Sequence, residues 1–207
     1  FSTQWETLGL EFDCIYTGFF ANGAQIDFAR RFIERFAKDD TLILVDPVLG
    51  DNGALYGCFG PEQVEKMRQL CRMAHVITPN RTEAALLAGL PADTPAEELL
   101  DALREQLGAE DIIVTGVHRG REIGYLARLG ERTVSIQYPR VERTLHGTGD
   151  VFASALCGAL LSGAEAPAAL ERAAEFCNAC VEKTAQRQPA HWYGLAFEDV
   201  LKERTAL

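Results

Sequence analysis

The sequence predicts an α/β protein with a mainly parallel central sheet, folded as a single domain over residues 1–207. Short apolar segments alternate with longer segments of helical periodicity, which is the pattern of repeated βαβ units. The segment 41–45 is an almost unbroken apolar run, as expected of a strand buried on both faces of a parallel sheet. Two later apolar segments, separated by Leu129-Gly130-Glu131, predict a small antiparallel hairpin.

Each predicted element follows from its periodicity and from the residues that bound it. The helix over 23–37 carries apolar side chains at three- and four-residue steps, and Pro61 favours a helix start. The predicted strands occupy residues 12–17, 41–45, 75–78, 111–115, 122–128 and 132–138. The predicted helices occupy residues 2–10, 23–37, 61–73, 81–88, 95–107, a segment that follows Gly147, 166–186 and 196–204.

The composition restricts the classes of partner. The net charge is −10 and no run of Lys and Arg occurs, which argues against a nucleic-acid partner. No apolar run approaches the roughly 18–20 residues of a membrane span, which argues against a membrane partner. Because the chain starts at Phe1 and enters a helical pattern almost at once, we expect that further residues precede it.

The six cysteines predict free thiols in a reducing cytoplasm, since their spacing matches no disulfide framework. Cys177 and Cys180 have CxxC spacing, but they fall inside a helical pattern and no second pair accompanies them. This argues against a metal or redox site there.

A glycine-rich turn, Gly147-Thr148-Gly149-Asp150, opens directly into an apolar helical segment. Helix N-termini carry free N–H groups and a partial positive charge, and glycines let an anion approach that backbone. Asp150 would face the anion and could take a proton from an attacking hydroxyl. The turn therefore suits phosphoryl transfer. An ordinary helix start with an acid in its first turn is the alternative explanation.

The segment from Asp46 to Tyr56 leaves a predicted buried strand and carries two acids, Asp46 and Asp51. Mg²⁺ prefers carboxylate and water oxygens and usually shares its shell with substrate phosphates. The segment is therefore a candidate cation site. A solvated turn rich in Asp, Asn and Gly is the alternative.

Thr78, Asn80 and Glu83 follow the next predicted strand. The spacing of Asn80 and Glu83 is that of a capping box, in which each side chain bonds the backbone of the other. In the functional alternative, Glu83 reaches a metal ion directly or through water.

Thr115 and Gly116 stand at the end of a further predicted strand. They could form a simple turn, or the Thr115 hydroxyl and a backbone N–H could face a nucleotide phosphate. Ligands of open α/β sheets bind beyond the carboxyl ends of the strands. Thr17-Gly18, Asp46, Thr78 with Asn80, and Thr115-Gly116 all lie at such ends, and we expect them to meet the Gly147 turn at one rim.

Other polar residues are weaker candidates. Asp150 is better placed as a base than His146, and Ser154 has no evident His partner for a serine-hydrolase triad. The remaining histidines are predicted in loops or at a strand start: His118, His191 and His75.

With these segments in this order, the chain resembles the ribokinase-like superfamily, and most of all the pyridoxal/pyridoxamine kinases. The resemblance is carried by DPVLGDNGALY, ITPNRTEA, VTG and GTGDVFASAL, between about residues 12 and 165. GTGD is shared across the superfamily, whereas DPVLGD with its later LY is more specific to vitamin B6 kinases. The resemblance implies a three-layer α/β/α sandwich that lacks its N-terminal strands. It also implies a homodimer.

The implied activity is the ATP-dependent phosphorylation of the 5′-hydroxymethyl group of pyridoxal, pyridoxamine or pyridoxine. By resemblance Asp150 is the base, and the amides of Gly147, Thr148 and Gly149 form the anion hole. The residues that match metal-associated positions, for Mg²⁺ or for a monovalent cation such as K⁺ or Na⁺, are Asp51, Glu83, Asp46 and Thr78. Those that match nucleotide or phosphate contacts are Asn80, Thr115, Gly116, Thr148 and Tyr56.

Two alternatives to a B6 kinase stay open. With His146 directly before the turn, this segment resembles that of the hydroxymethylpyrimidine kinases of thiamine synthesis, although those enzymes tend to carry Cys in place of Asp150. A noncatalytic protein that binds B6 or nucleotide is the other alternative, but a pure binder has no need of a base at Asp150.

Overall fold

A computed structural model describes residues 2–143, 145–187 and 193–205. Its central sheet has six strands in the order β1-β2-β5-β6-β7-β8. The first four of these are parallel and the last two are antiparallel to their neighbours. The strands span Cys14–Thr17 (β1), Leu42–Val45 (β2), Val76–Ile77 (β5), Asp111–Arg119 (β6), Glu122–Leu129 (β7) and Arg132–Pro139 (β8). This confirms the mainly parallel sheet and the late hairpin.

Eight helices occur in the described residues, and they lie on the two faces of the sheet. They span Ser2–Thr7 (α1), Gly23–Phe36 (α2), Pro61–Cys71 (α3), Arg81–Ala88 (α4), Ala96–Leu107 (α5), Thr148–Leu161 (α6), Ala166–Gln186 (α7) and Phe197–Thr205 (α8). The predicted helices are confirmed to within a few residues at their ends. None of the helices in these ranges combines the length and the apolar composition that crossing a bilayer requires.

Two apolar cores separate the layers, because successive strand residues point to opposite faces. Ile43 and Val45 of β2 join the core beneath α2, α3, α4 and α5. Leu44, between them, joins the core beneath α6 and α7. The result is the three-layer α/β/α sandwich.

A second, two-stranded sheet was not predicted. Gly50–Asp51 (β3) pairs antiparallel with Ala54–Leu55 (β4), and the residues between them, Asn52 and Gly53, have φ angles of 52° and 80°. Positive φ at both central residues is the requirement of the tight hairpin turn that Asn-Gly favours. The residues Asp, Asn and Gly predicted a turn here, but the hairpin itself was not predicted.

Strand β6 corrects the interpretation of Thr115-Gly116 as a strand end. The strand runs on to Arg119, and the register with β7 shifts between Thr115 and Val117. Gly116, at φ +67°, is therefore a bulge inside a strand. His118, predicted in a loop, lies in the same strand, and His191 falls outside the described residues.

Candidate active site

Asp46 occupies the centre of the rim formed by the carboxyl ends of β1, β2 and β5. Its side chain is buried, with 5% of the residue exposed. The Thr78 hydroxyl donates a hydrogen bond to Asp46 Oδ1 at 3.2 Å, and a Cβ built on Gly149 would lie 3.8 Å from Asp46 Oδ2. The structure thus brings Asp46, Thr78 and the glycine-rich turn together, as expected.

Burial raises the pKa of Asp46 to about 7. The hydrogen bond from Thr78 partly offsets this rise, and the nearby Asp150 carboxylate adds to it. Removing a carboxylate from water disfavours its charged form, and no cationic side chain contributes to this shift. The position therefore suits an added positive charge.

The turn before α6 has the geometry of an anion-binding helix start. Gly147 caps the helix at φ +83°, which a residue with a side chain rarely adopts, and its carbonyl accepts from Val151 N at 3.1 Å. Asp150 is exposed. Its Oδ2 would lie 4.0 Å from a Cβ on Gly147, so the carboxylate folds back over the turn.

Asn80 and Glu83 form the capping box that was one of the two explanations for their spacing. Asn80 Oδ1 accepts from Glu83 N at 2.9 Å, and Glu83 Oε2 accepts from Asn80 N at 2.8 Å. The same two side chains also hold the segment after β2. Glu83 Oε1 accepts from Leu49 N at 3.1 Å, and Asn80 Nδ2 donates to Gly50 O at 2.9 Å.

Glu83 is a second buried acid at this rim, with 3% of the residue exposed. Burial raises its pKa to about 8, while hydrogen bonds from the Asn80, Leu49 and Gly50 backbone lower it and the Asp46 charge raises it. The electrostatic interaction with Asp46 shows that the two acids are neighbours. Its role toward a metal ion stays a prediction.

Four carboxylates act electrostatically on the Tyr56 hydroxyl. Burial raises the pKa of Tyr56, and the charges of Asp51, Glu83, Asp46 and Asp150 raise it further, in that order. Asp51 is exposed on the β3–β4 hairpin, where its oxygens accept from the backbone and side chain of Asn52. Within the described ranges no three His, Cys, Asp or Glu side chains converge closely enough to form a preformed metal cluster.

Thr115 reaches the rim beside Asn80. The two residues form an isolated parallel bridge, and Thr115 N donates to Pro79 O at 2.8 Å. Gly116 then turns the chain into the bulge. Their contacts with a nucleotide stay predictions.

Tyr16 is a site residue that was not predicted from the sequence. Burial raises the pKa of its phenol, and the charges of Asp46 and Asp150 raise it further, while a hydrogen bond with Ser154 lowers it. The hydroxyl therefore lies near both acids and contacts the second turn of α6. A phenol at the end of a short apolar strand was the available signal, but it also fits an ordinary core residue.

A cleft of about 610 Å³ opens beside Asp150 and was also not predicted. It lies between the first turn of α6 and the segment around α8, and its lining includes the cations Arg187 and Lys202. Arg187 pairs with Asp199 of α8. Asp150, Glu198 and Asp199 line the cleft as well, so its side chains carry no net positive charge. The partial positive charge of the α6 N-terminus is the feature that favours a phosphate there.

Comparison with known proteins identifies the family of the chain. The family model described as phosphomethylpyrimidine kinase matches residues 2–194. A pyridoxine kinase of Bacillus subtilis is 29% identical over 187 residues, which are 86% of this chain and 67% of that protein. The chain thus spans about two thirds of the length of this relative.

Two solved structures superimpose on nearly the whole chain. A putative phosphomethylpyrimidine kinase of Bacteroides thetaiotaomicron is 36% identical, with a TM-score of 0.93 over 99% of this chain and 73% of its own, and it was also crystallised with pyridoxal. A pyridoxal kinase of Lactobacillus plantarum is 34% identical, with a TM-score of 0.89 over 99% of this chain and 75% of its own. The chain therefore belongs to the phosphomethylpyrimidine kinase family, shares the ribokinase-like fold, and is a relative of the pyridoxal kinases.

Proposed function

We propose that the chain transfers the terminal phosphoryl group of ATP to the 5′-hydroxymethyl group of pyridoxal, pyridoxamine or pyridoxine. The observation that carries this proposal is the Asp150 carboxylate, which folds back over the Gly147 turn and borders the cleft with Arg187 and Lys202. Phosphoryl transfer depends on positioning and charge neutralisation more than on covalent chemistry. The Gly147 turn offers backbone amides that can position and neutralise a phosphoryl group, and Asp150 is an exposed base beside it.

In this mechanism Asp150 accepts the proton of the vitamer's hydroxymethyl group as its oxygen attacks the phosphorus. The backbone amides of Gly147, Thr148 and Gly149 donate hydrogen bonds to the transferring phosphoryl group, where negative charge is highest. Lys202 contributes positive charge to the cleft that would hold the nucleotide, whereas the Arg187 guanidinium is paired with Asp199. By resemblance, Tyr56, Thr115 and Gly116 supply further contacts to the nucleotide or its phosphates.

The acids at the rim fit cations. Asp46 and Glu83 are buried with raised pKa values, and the charges of Asp51 and Asp150 act on the same Tyr56 hydroxyl. A cation would relieve this repulsion and let the acids ionise at neutral pH. Mg²⁺ would be held by Asp51 and Glu83, and K⁺ or Na⁺ by Asp46 and Thr78. When bound, they neutralise charge on the phosphates.

Asn80 contributes differently from what a direct nucleotide contact would require. Both polar groups of its side chain are already bonded, to Glu83 N and to Gly50 O. These bonds hold the amide in place, and the second N–H of Nδ2 is the donor that would be left for the nucleotide. Following the resemblance to B6 kinases, we place the activity in the cytoplasm and expect the active protein to be a homodimer.

Hydroxymethylpyrimidine phosphorylation is the second candidate. The description of the matching family favours it, as does the name of the Bacteroides relative. The crystals of that same relative with pyridoxal favour a B6 vitamer, and Asp150 in the base position agrees with this choice.

The test measures ADP release with pyridoxal, pyridoxamine, pyridoxine and hydroxymethylpyrimidine as acceptors. We expect turnover with at least one B6 vitamer. Asp150→Asn should lower kcat by about 10²–10⁴-fold, the usual contribution of a general base, with little change in nucleotide affinity. Asp93→Asn, which changes an exposed acid on another loop, is the matched control. Retained turnover in Asp150→Asn contradicts the assigned role, and hydroxymethylpyrimidine as the only acceptor favours the second candidate.

A further inference from the structure

Two cysteines that are far apart in the sequence meet between the sheet and α6. Cys14 Sγ, at the start of β1, lies 3.3 Å from Cys157 Sγ in α6, across 143 residues of sequence. Both side chains are only partly buried. The pair is therefore in van der Waals or hydrogen-bonding contact and within reach of a small reagent.

The contact follows from the register of β1 against α6. Cys14 and Tyr16 share one face of β1, because alternate strand residues point the same way. Ser154 and Cys157 share one face of α6, because residues three apart are neighbours on a helix. Cys14 contacts Cys157, and Tyr16 lies close enough to Ser154 for that side chain to lower its pKa, so both pairs agree with the same strand–helix alignment.

The other four cysteines differ from this pair. Cys58 is exposed on a loop, and Cys71, Cys177 and Cys180 are buried. Cys177 Sγ donates to Thr148 O at 3.5 Å. Cys14 and Cys157 thus combine sulfur–sulfur contact with partial exposure.

The pair is also polarised. In the arrangement in which Cys14 donates the hydrogen bond, the pKa of Cys157 is lowered to about 7. The same interaction raises the pKa of Cys14. Because thiolates are the reacting form of cysteine, this arrangement makes Cys157 the nucleophile and Cys14 the resolving thiol.

We infer that Cys14 and Cys157 are a modification site that forms a reversible intramolecular disulfide when the protein meets a peroxide. The Cys157 thiolate attacks one peroxide oxygen, the O–O bond breaks, and the leaving hydroxide takes up a proton as water. The resulting sulfenic acid is attacked by Cys14 sulfur, the S–O bond breaks, and a second water leaves. Both sulfurs are oxidised and the peroxide is reduced to two waters. The inference stands apart from the proposed kinase activity.

The bond would change the protein in a measurable way. A disulfide brings two sulfurs to about 2.05 Å, so β1 and α6 move slightly closer than in the thiol form. Closing a loop of more than a hundred residues restricts the unfolded chain. We expect the oxidised protein to melt at a Tm about 10 °C higher. In a reducing compartment the link would be transient and restored to thiols.

The experiment treats the reduced full chain with hydrogen peroxide and maps its peptides by mass spectrometry without reductant. We expect a linked Cys14–Cys157 peptide, the loss of two of the six thiols, and the raised Tm, all reversed by dithiothreitol. Cys14→Ala and Cys157→Ala should each abolish the linked peptide, whereas Cys58→Ala, a matched exposed control, should keep it.

The measurement on the unsubstituted chain needs no variant, so it remains decisive if a substitution at Cys14 or Cys157 prevents folding. Oxidation that stops at sulfinic acid on Cys157 would overturn the inference. Intermolecular links through Cys58 without the Cys14–Cys157 peptide would overturn it equally.

Discussion

Asp46 should make the protein less stable as the pH rises, and Asp46→Asn should remove this effect. The carboxyl is buried, and burial raises its pKa from an ordinary value of 3.8 to about 7. Between these values the native state binds more protons than the unfolded state. Stability is therefore fully present below the unfolded pKa and is lost as the pH rises through the native pKa.

The magnitude follows from the two pKa values. Each unit of difference corresponds to about 1.4 kcal/mol, so Asp46 should account for a loss of about 3 kcal/mol in unfolding free energy between pH 5 and pH 8. Asn keeps an oxygen for the hydrogen bond from Thr78 and carries no charge. We therefore expect the unfolding free energy of Asp46→Asn to depend on pH by about 3 kcal/mol less than that of the parent.

The assay is urea unfolding at pH 5 and pH 8 in tetramethylammonium buffers with a chelator present, because Na⁺, K⁺ or a divalent cation would bind the ionised acids and mask the effect. Asp51→Asn is the matched control, since Asp51 is exposed on the neighbouring hairpin. An equal pH dependence in the parent and in Asp46→Asn would refute the argument that burial governs this carboxyl.

Three other substitutions test the rim. Glu83→Gln should destabilise the protein by about 1–3 kcal/mol in urea unfolding, because the new NH₂ group opposes Leu49 N or Asn80 N; a stabilised variant would contradict this. Tyr16→Phe should cost about 1 kcal/mol by losing the bond to Ser154, and Ser154→Ala should cost the same without adding to it in the double variant; full additivity would show that the two side chains act separately. Gly50→Ala should lower the Tm, because its Cβ would overlap the Ala54 carbonyl across the β3–β4 hairpin; an unchanged Tm would show that the hairpin opens freely.

Most of the fold could be predicted from the sequence, because the periodicity and the turn residues that indicate each helix or strand lie within or next to that element. Periodicity gave α7 at 166–186 with its observed ends, and the unbroken apolar run at 41–45 indicated β2. The extension of β6 beyond Thr115 was missed because it depends on pairing with β7, and Gly116 looks the same in a bulge as in a turn. The β3–β4 hairpin has only two residues per strand, too few for any alternation to appear.

The residues of the rim were predictable one by one, but their environment was not. The positions of Asp46 and Thr78 at strand ends predicted that they belong to the site, and the three-residue spacing of Asn80 and Glu83 predicted the helix cap. Nothing local could show that two of the acids are buried together or that Tyr16 reaches them from the other side. The burial of the acids and their distance from Tyr16 depend on how β1, β2 and α4 pack against one another. The periodicity of apolar residues along a strand or a helix carries no information on that packing.

The capping and functional explanations of Glu83 are not rivals in this structure. A helix cap needs only the reciprocal bonds between Asn80 and Glu83. Here the remaining oxygen of Glu83 holds Leu49 N, and the remaining group of Asn80 holds Gly50 O. These two extra bonds fix the start of the hairpin that carries Asp51, between the buried Asp46 and the exposed Tyr56. The capping residues thereby fix where the exposed Asp51 lies relative to the buried Asp46. A helix start that needed only its own backbone satisfied would have no reason to bury a carboxylate with a raised pKa beside a second one.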